Sequence, residues 1–183
     1  TGSEDHTARI WRADGTLVAT LEGHTSAVKL LAWSPDGARL LTGSQWDPVA
    51  RVWQATGARI SALKGHTGGI RSGSWRPDGS EILTTSEDFT ARIWRPDGAV
   101  VTTLTGHTKV IVDAAWSPDG AHIVTASEDS TGGIWQHDGT RVATLDGHGQ
   151  WLTCAAWHPD GTRVVTAGYE RVARIWSIDG VEL

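Results

Sequence analysis

The sequence predicts an all-β fold, and three observations lead to this prediction. First, 22 of the 183 residues are glycine, and only residues 80–95 run past a dozen positions without glycine or proline. Because these residues inside a helix cost about 1 and 3 kcal/mol each, long helices are excluded. Second, short β-branched and aromatic runs alternate with Pro-Asp-Gly and Asp-Gly turns. Third, the whole pattern recurs about every 41 residues.

Four series of residues mark the repeat. Gly-His pairs, Pro-Asp-Gly turns and two sets of tryptophans each recur at steps of 41 or 42 residues, and they account for nine of the eleven tryptophans. The series are His24, His66, His107 and His148; Pro35, Pro77, Pro118 and Pro159; Trp33, Trp75, Trp116 and Trp157; and Trp11, Trp53, Trp94, Trp135 and Trp176.

Each unit predicts four short strands. In the unit that opens at His107, apolar runs occupy residues 110–116, 121–127, 131–135 and 141–145, and turn residues separate them. Proline pre-sets φ in the first turn, and the glycine of Asp-Gly accepts the positive φ of the last. The first run is almost continuously apolar, which is typical of a sheet buried on both faces. Four-stranded sheets packed face to face around an axis would provide that environment.

The period, the Gly-His pair, the Ser-Pro-Asp-Gly turn and the strand-ending tryptophan resemble WD-repeat β-propellers. The aspartate that usually follows the tryptophan is absent, and its places hold Arg12, Gln54, Arg95, Gln136 and Ser177. The resemblance implies one all-β propeller domain over residues 1–183, built of four-stranded antiparallel blades. Its expected divisions are a partial blade at 1–21, full blades at about 24–63, 66–104 and 107–145, and a partial blade at 148–183.

A histidine, a serine and an aspartate recur in every full unit and could be mistaken for a catalytic triad. Acyl transfer needs one triad in one cleft, whereas this set is repeated, so it belongs to the scaffold. In the family, such residues form a buried network with the strand-ending tryptophan. The implied networks are His24–Ser44–Asp47–Trp53, His66–Ser86–Asp88–Trp94 and His107–Ser127–Asp129–Trp135.

The last unit departs from this pattern. Gly168 stands where serine is expected and Glu170 where aspartate is expected, so the network of His148 is expected to lack its middle. One interpretation is drift in a terminal repeat. The other is that Tyr169 and Arg171 belong to a binding surface.

Composition excludes several classes of function. The net charge is −5 without a basic cluster, so no nucleic-acid partner is expected. Apolar runs are too short for a membrane span, and no signal peptide is expected. The lone Cys154 excludes an internal disulfide framework and fits a reducing, cytoplasmic compartment. Histidines placed one per unit cannot converge on a metal, so neither a metal nor a cofactor is expected.

Positions that differ between repeats are the candidates for specific binding. In the family, the segment after Gly-His and the acidic turn open on one propeller face, where aromatic and cationic residues would collect. Such residues are favoured at interface hot spots, although some could merely cap a blade. The candidates are Lys29, Trp46, Arg71, Phe89, Trp151, Tyr169 and Arg171.

The most direct functional prediction is a non-catalytic scaffold that presents one propeller face to a peptide or protein. The alternative is a self-assembling module. A three-stranded blade left open at each end would expose unpaired edges, which are templates for association. The expected partner is then another copy in a two-fold homodimer, or the remaining part of a longer propeller. No single constellation supports an enzyme.

Overall fold

A computed structural model describes all residues, 1–183, as seventeen strands in five antiparallel sheets. We call the sheets blades 1 to 5. Blade 1 holds β1 (Ala8–Trp11) and β2 (Leu17–Leu21); blade 2 holds β3 (Val28–Trp33), β4 (Arg39–Ser44), β5 (Asp47–Gln54) and β6 (Arg59–Leu63). Blade 3 holds β7 (Ile70–Trp75), β8 (Ile82–Ser86), β9 (Ala91–Trp94) and β10 (Val100–Leu104). Blade 4 holds β11 (Ile111–Trp116), β12 (His122–Ser127), β13 (Gly132–Gln136) and β14 (Arg141–Leu145); blade 5 holds β15 (Leu152–Trp157), β16 (Arg163–Gly168) and β17 (Ala173–Ser177).

The all-β fold class is confirmed: three of the blades are complete four-stranded antiparallel sheets. The outer two are incomplete, and the expected three-stranded blade is found only at the 148–183 end. Blade 1 has two strands and a single bridge from Gly2 to Ala8, and blade 5 has three strands and a bridge from Trp176 to Glu182. There is no helix that could cross a bilayer.

The hydrophobic core lies between successive blades rather than inside any one of them. Between blades 3 and 4, Leu83 and Ile93 pack with Ile111 and Ile123, and all four are fully buried. Equivalent clusters join the other neighbouring pairs of blades. Each sheet is therefore apolar on both faces, which explains the near-continuous apolar runs in the sequence.

Tryptophans at the ends of first strands pack on the preceding blade. The indole Nε1–H of Trp75 donates to the carbonyl oxygen of Ala32 at 3.0 Å, and Trp157 donates to Ala115 at 3.1 Å. Trp75 is 7% exposed, whereas Trp33 is 48% exposed because blade 1 offers no first strand beside it. Trp11, at the end of β1 in blade 1, is likewise 46% exposed.

The first strands β3, β7, β11 and β15 surround a common axis. All four line a single cavity of about 510 Å³, each with the residue at the same repeat position, namely Lys29, Arg71, Val112 and Thr153; Ile70 and Leu152 line it as well. We call this cavity the mouth. Asp113 ties the strands together near it, because its carboxylate accepts from the Ser72 hydroxyl at 3.0 Å and from the Ala155 amide at 3.2 Å.

Candidate functional site

A threonine hydroxyl is the centre of the buried network in each of blades 2 to 5. In blade 3, the Trp94 indole N–H donates to the Thr84 hydroxyl at 2.8 Å, and the hydroxyl lies 2.9 Å from His66 Nε2. The other ring nitrogen, Nδ1, lies 2.8 Å from the Asp88 carboxylate. Because an ionised carboxylate can only accept, we assign Nδ1–H as the donor to Asp88, and in that tautomer Nε2 accepts from the Thr84 hydroxyl.

The serine expected at this place has another role. The Ser86 hydroxyl donates to the Gly68 carbonyl at 2.9 Å and accepts from the Asp88 amide at 3.1 Å, so it fixes the turn that carries the aspartate. Ser127 holds Asp129 in the same way, and Ser44 contacts Ser26. The implied His–Ser link is therefore corrected to a His–Thr link. A serine nucleophile needs a histidine base within hydrogen-bond reach, and no serine hydroxyl of these networks contacts the histidine of its network.

The network of the last unit is complete, contrary to the expectation that it would lack its middle. His148 Nε2 lies 2.7 Å from the Thr166 hydroxyl, which also accepts from the Trp176 indole at 2.7 Å. Glu170 replaces aspartate and contacts His148 Nδ1. The missing serine at Gly168 has a steric cause, because a Cβ there would lie 2.1 Å from the Trp151 carbonyl oxygen.

The network carboxylates are held in their ionised form. Burial alone would raise the pKa of Asp88, but hydrogen bonds from His66, Thr90 and the Thr67 amide outweigh it and hold that pKa below its ordinary value. Asp129 is held in the same way by His107 and Thr131. In blade 2 the pKa of His24 is lowered, first by burial and then by the nearby Arg51 guanidinium.

Two rows of side chains lie at or beside the mouth. The turn row contains the residue that follows the serine position in each blade, namely Glu4, Gln45, Glu87, Glu128 and Tyr169. The strand row consists of the residue five positions after the repeat histidine in blades 2 to 5, namely Lys29, Arg71, Val112 and Thr153. Lys29 pairs with Glu4 at 2.6 Å, and Arg71 pairs with Glu87 at 3.3 Å. Charges of opposite sign are thus matched in blades 1 to 3.

An aromatic pair forms the wall of the mouth on blade 5. The rings of Trp151 and Tyr169 meet edge to face with centroids 6.3 Å apart, and the Lys109 ammonium lies 5.6 Å from the centre of the Trp151 ring. The same two aromatic residues border a second cavity of about 500 Å³, together with Ser130 and Gln150. The pair therefore separates an inner and an outer cavity on one face.

The structure brings only part of the predicted binding set together. Lys29, Arg71, Trp151 and Tyr169 line the mouth, and Lys29 also borders a cavity of about 440 Å³ that Trp46 lines. Phe89 and Arg171 line none of these three cavities. Both are exposed and have φ of 69° and 65°, in the left-handed region.

Sequence reasoning missed several residues of the face and the network. The network threonines Thr42, Thr84, Thr125 and Thr166 recur at steps of 42, 41 and 41, a signal as regular as the histidines. Lys109 and Gln150 carry no such signal, because the repeat position they share holds Ser26 and Gly68 in the other units, and Glu128 looks like the equivalent Glu4 and Glu87. No group of three or more potential metal-ligating side chains comes together.

Comparison with known proteins identifies the class to which these blades belong. Four segments match the family described as "WD domain, G-beta repeat", at residues 15–54, 57–95, 98–136 and 139–177. These matches cover most of the chain, so the protein belongs to the WD40 repeat family.

Similarity to individual proteins is confined to single-repeat lengths. The chain is 58% identical over 41 residues to "Ribosome assembly protein 4" of Chaetomium thermophilum, which is 22% of this chain and 8% of that protein. It is 48% identical over 44 residues to "Nuclear distribution protein PAC1" of Tuber melanosporum, covering 24% and 10%. The matches span about a tenth or less of either relative.

Proposed function

We propose that the protein is a non-catalytic scaffold that binds a peptide or protein segment at the mouth and at the outer cavity that Trp151 and Tyr169 border. The observation that carries this proposal is the convergence of Lys29, Arg71, Trp151 and Tyr169, from three different blades, on one cavity. WD repeats generally support interaction with proteins, and aromatic and arginine side chains in a concave site are the usual anchors of such contacts.

The turns on this face share one backbone conformation. His6, Phe89, Ser130 and Arg171 occupy the same turn position in four blades, and all have φ between 65° and 73°. Glycine would adopt this conformation without strain, whereas a bulky side chain there costs roughly 1 kcal/mol or more. All four turns share this conformation, so it belongs to the scaffold, and it leaves Phe89 and Arg171 exposed outside the three cavities.

Replacing Trp151 by alanine is expected to weaken binding of a selected peptide by about tenfold or more, the loss typical of a central aromatic anchor. Peptides would first be selected from a random display library on the wild-type chain, and affinities would be measured by calorimetry. Trp33→Ala is the matched control, since Trp33 is 48% exposed and Trp151 is 47% exposed, and Trp33 lies at the end of β3 remote from the mouth. If Trp151→Ala unfolds the chain or leaves affinity unchanged, Trp151 is not a ligand anchor.

A second proposal concerns the outward faces of the outer blades. Ile175 on β17 of blade 5 is 49% exposed, whereas its counterpart Ile134 on β13 is fully buried. Apolar blade faces of this kind are covered by another blade everywhere else in the structure, so we propose that a further blade covers them. That blade would come from a second copy or from additional propeller sequence.

For the 183-residue chain, the proposal of a second copy predicts a mass above 19.6 kDa at micromolar concentration, measured by light scattering. Ile175→Lys should then shift the population towards the monomer by placing a charge in the interface. The change Val18→Lys is the control, because Val18 is exposed on the outermost strand β2 of blade 1. A monodisperse 19.6 kDa wild-type species would contradict self-association.

A further inference from the structure

One carboxylate at the mouth lacks the partner that its equivalents have. Glu4 and Glu87 each pair with a cation of the strand row, Lys29 and Arg71 respectively. Glu128 occupies the same turn position in blade 4, lines the mouth and is half-buried. Its carboxylate makes neither an ion pair nor a hydrogen bond within the chain. The other two charged residues that line the mouth, Lys29 and Arg71, are both paired.

The reason lies in the strand row. The cation that pairs with Glu87 lies in the same blade, whereas the cation that pairs with Glu4 lies in the next blade along the chain. For Glu128 the same-blade residue is Val112 and the next-blade residue is Thr153, neither of which carries a charge. A half-buried carboxylate without a counter-charge is the feature that a ligand cation would complete.

The surroundings of Glu128 suit a basic side chain in particular. Trp151 and Tyr169 line the same cavity and offer ring faces and edges to the aliphatic stem and the cationic head of arginine or lysine. A cation already lies over the Trp151 ring, because the Lys109 ammonium is 5.6 Å from its centre. The chain as a whole also has a net charge of −5, which favours approach of a basic partner.

We infer that the mouth recognises a basic segment of its partner, with one arginine or lysine side chain paired to Glu128 and packed on Trp151 and Tyr169. This inference rests on the proposed function, which it makes specific. The cations Lys29 and Arg71 stay paired with Glu4 and Glu87. They therefore border the site, and their charges are already compensated when a basic ligand approaches.

The test compares random peptides selected by display on four forms of the chain: wild type, Glu128→Gln, Glu128→Lys and Asp179→Asn. Asp179→Asn is the matched control, since it also removes one negative charge, and Asp179 is an exposed residue without an ion pair, in the turn after β17 at the end remote from the mouth. Wild type and Asp179→Asn should select arginine or lysine at one fixed peptide position. Glu128→Lys should select aspartate or glutamate there instead.

Affinity of the selected peptide should fall about tenfold for Glu128→Gln and change less than about twofold for Asp179→Asn. Replacing the basic residue of the peptide by citrulline should weaken its binding to wild type equally, which keeps the test valid if Glu128→Gln folds poorly. Peptides that depend on Trp151 but carry no required basic residue would overturn this inference and leave the proposed function standing. If wild type retains no peptide at all, both the proposed function and this inference fail.

Discussion

Replacing Thr84 by valine is expected to lower the free energy of unfolding by about 2–4 kcal/mol. The valine keeps the shape and the β-branching but removes the hydroxyl that joins the Trp94 indole to His66. Two buried polar groups then lose their partners, at about 1–3 kcal/mol each. Urea unfolding followed by tryptophan fluorescence measures the loss, and the indole of Trp94 reports on the affected blade.

Thr103→Val is the appropriate control for this experiment. Thr103 lies on β10 of the same blade, is half-buried, and its hydroxyl makes no hydrogen bond within the chain. The same chemical change should therefore alter the free energy of unfolding by no more than about 0.5 kcal/mol. Equal losses in the two variants would show that the network contributes nothing beyond the general cost of the substitution.

Replacing Gly69 by alanine is expected to cost about 3 kcal/mol, because the added methyl group meets backbone that cannot rotate away. A Cβ at Gly69 would lie 1.4 Å from the carbonyl oxygen of Gln45 in the neighbouring blade. Other repeats carry Ala27, Val110 or Trp151 at this position. The difference arises in the turn of blade 2, where the inserted Trp46 follows Gln45. Overpacking against fixed groups typically costs 1–3 kcal/mol, occasionally more.

Gly149→Ala serves as the comparison for Gly69→Ala. Gly149 also follows a Gly-His pair, and a Cβ there would meet only the flexible Glu170 carboxylate, at 3.7 Å. The free energy of unfolding of the Gly149→Ala variant should change by less than about 1 kcal/mol, as measured by urea unfolding of both variants. A loss below 1 kcal/mol for Gly69→Ala would mean that the Gln45 turn moves aside at little cost.

The blades could be predicted from the sequence because their signals are repeated and local. Turn residues, apolar runs and tryptophans recur at a fixed step, and each repeat confirms the assignment of the others. The identity of the network hydroxyl could not be predicted in this way. Thr84 and Ser86 are two residues apart on one strand, so both point to the same face, and spacing alone does not say which of them reaches His66.

The mouth was only partly predictable for a different reason. The strand row could be found by counting from each Gly-His pair, and the sequence therefore pointed to Lys29 and Arg71. Glu128 appeared to be an ordinary residue of an acidic turn, because Glu4 and Glu87 occupy the same place. Its lack of a partner depends on how the turn of one blade faces the strands of two blades, which is a property of the tertiary arrangement.

The low pKa values of the network carboxylates have an electrostatic consequence for the whole mouth. Asp88 and Asp129 lie one residue beyond Glu87 and Glu128 in the turns that border it, and both remain negatively charged well below neutral pH. The two carboxylates therefore stay ionised throughout the physiological pH range and place fixed negative charges beneath the face.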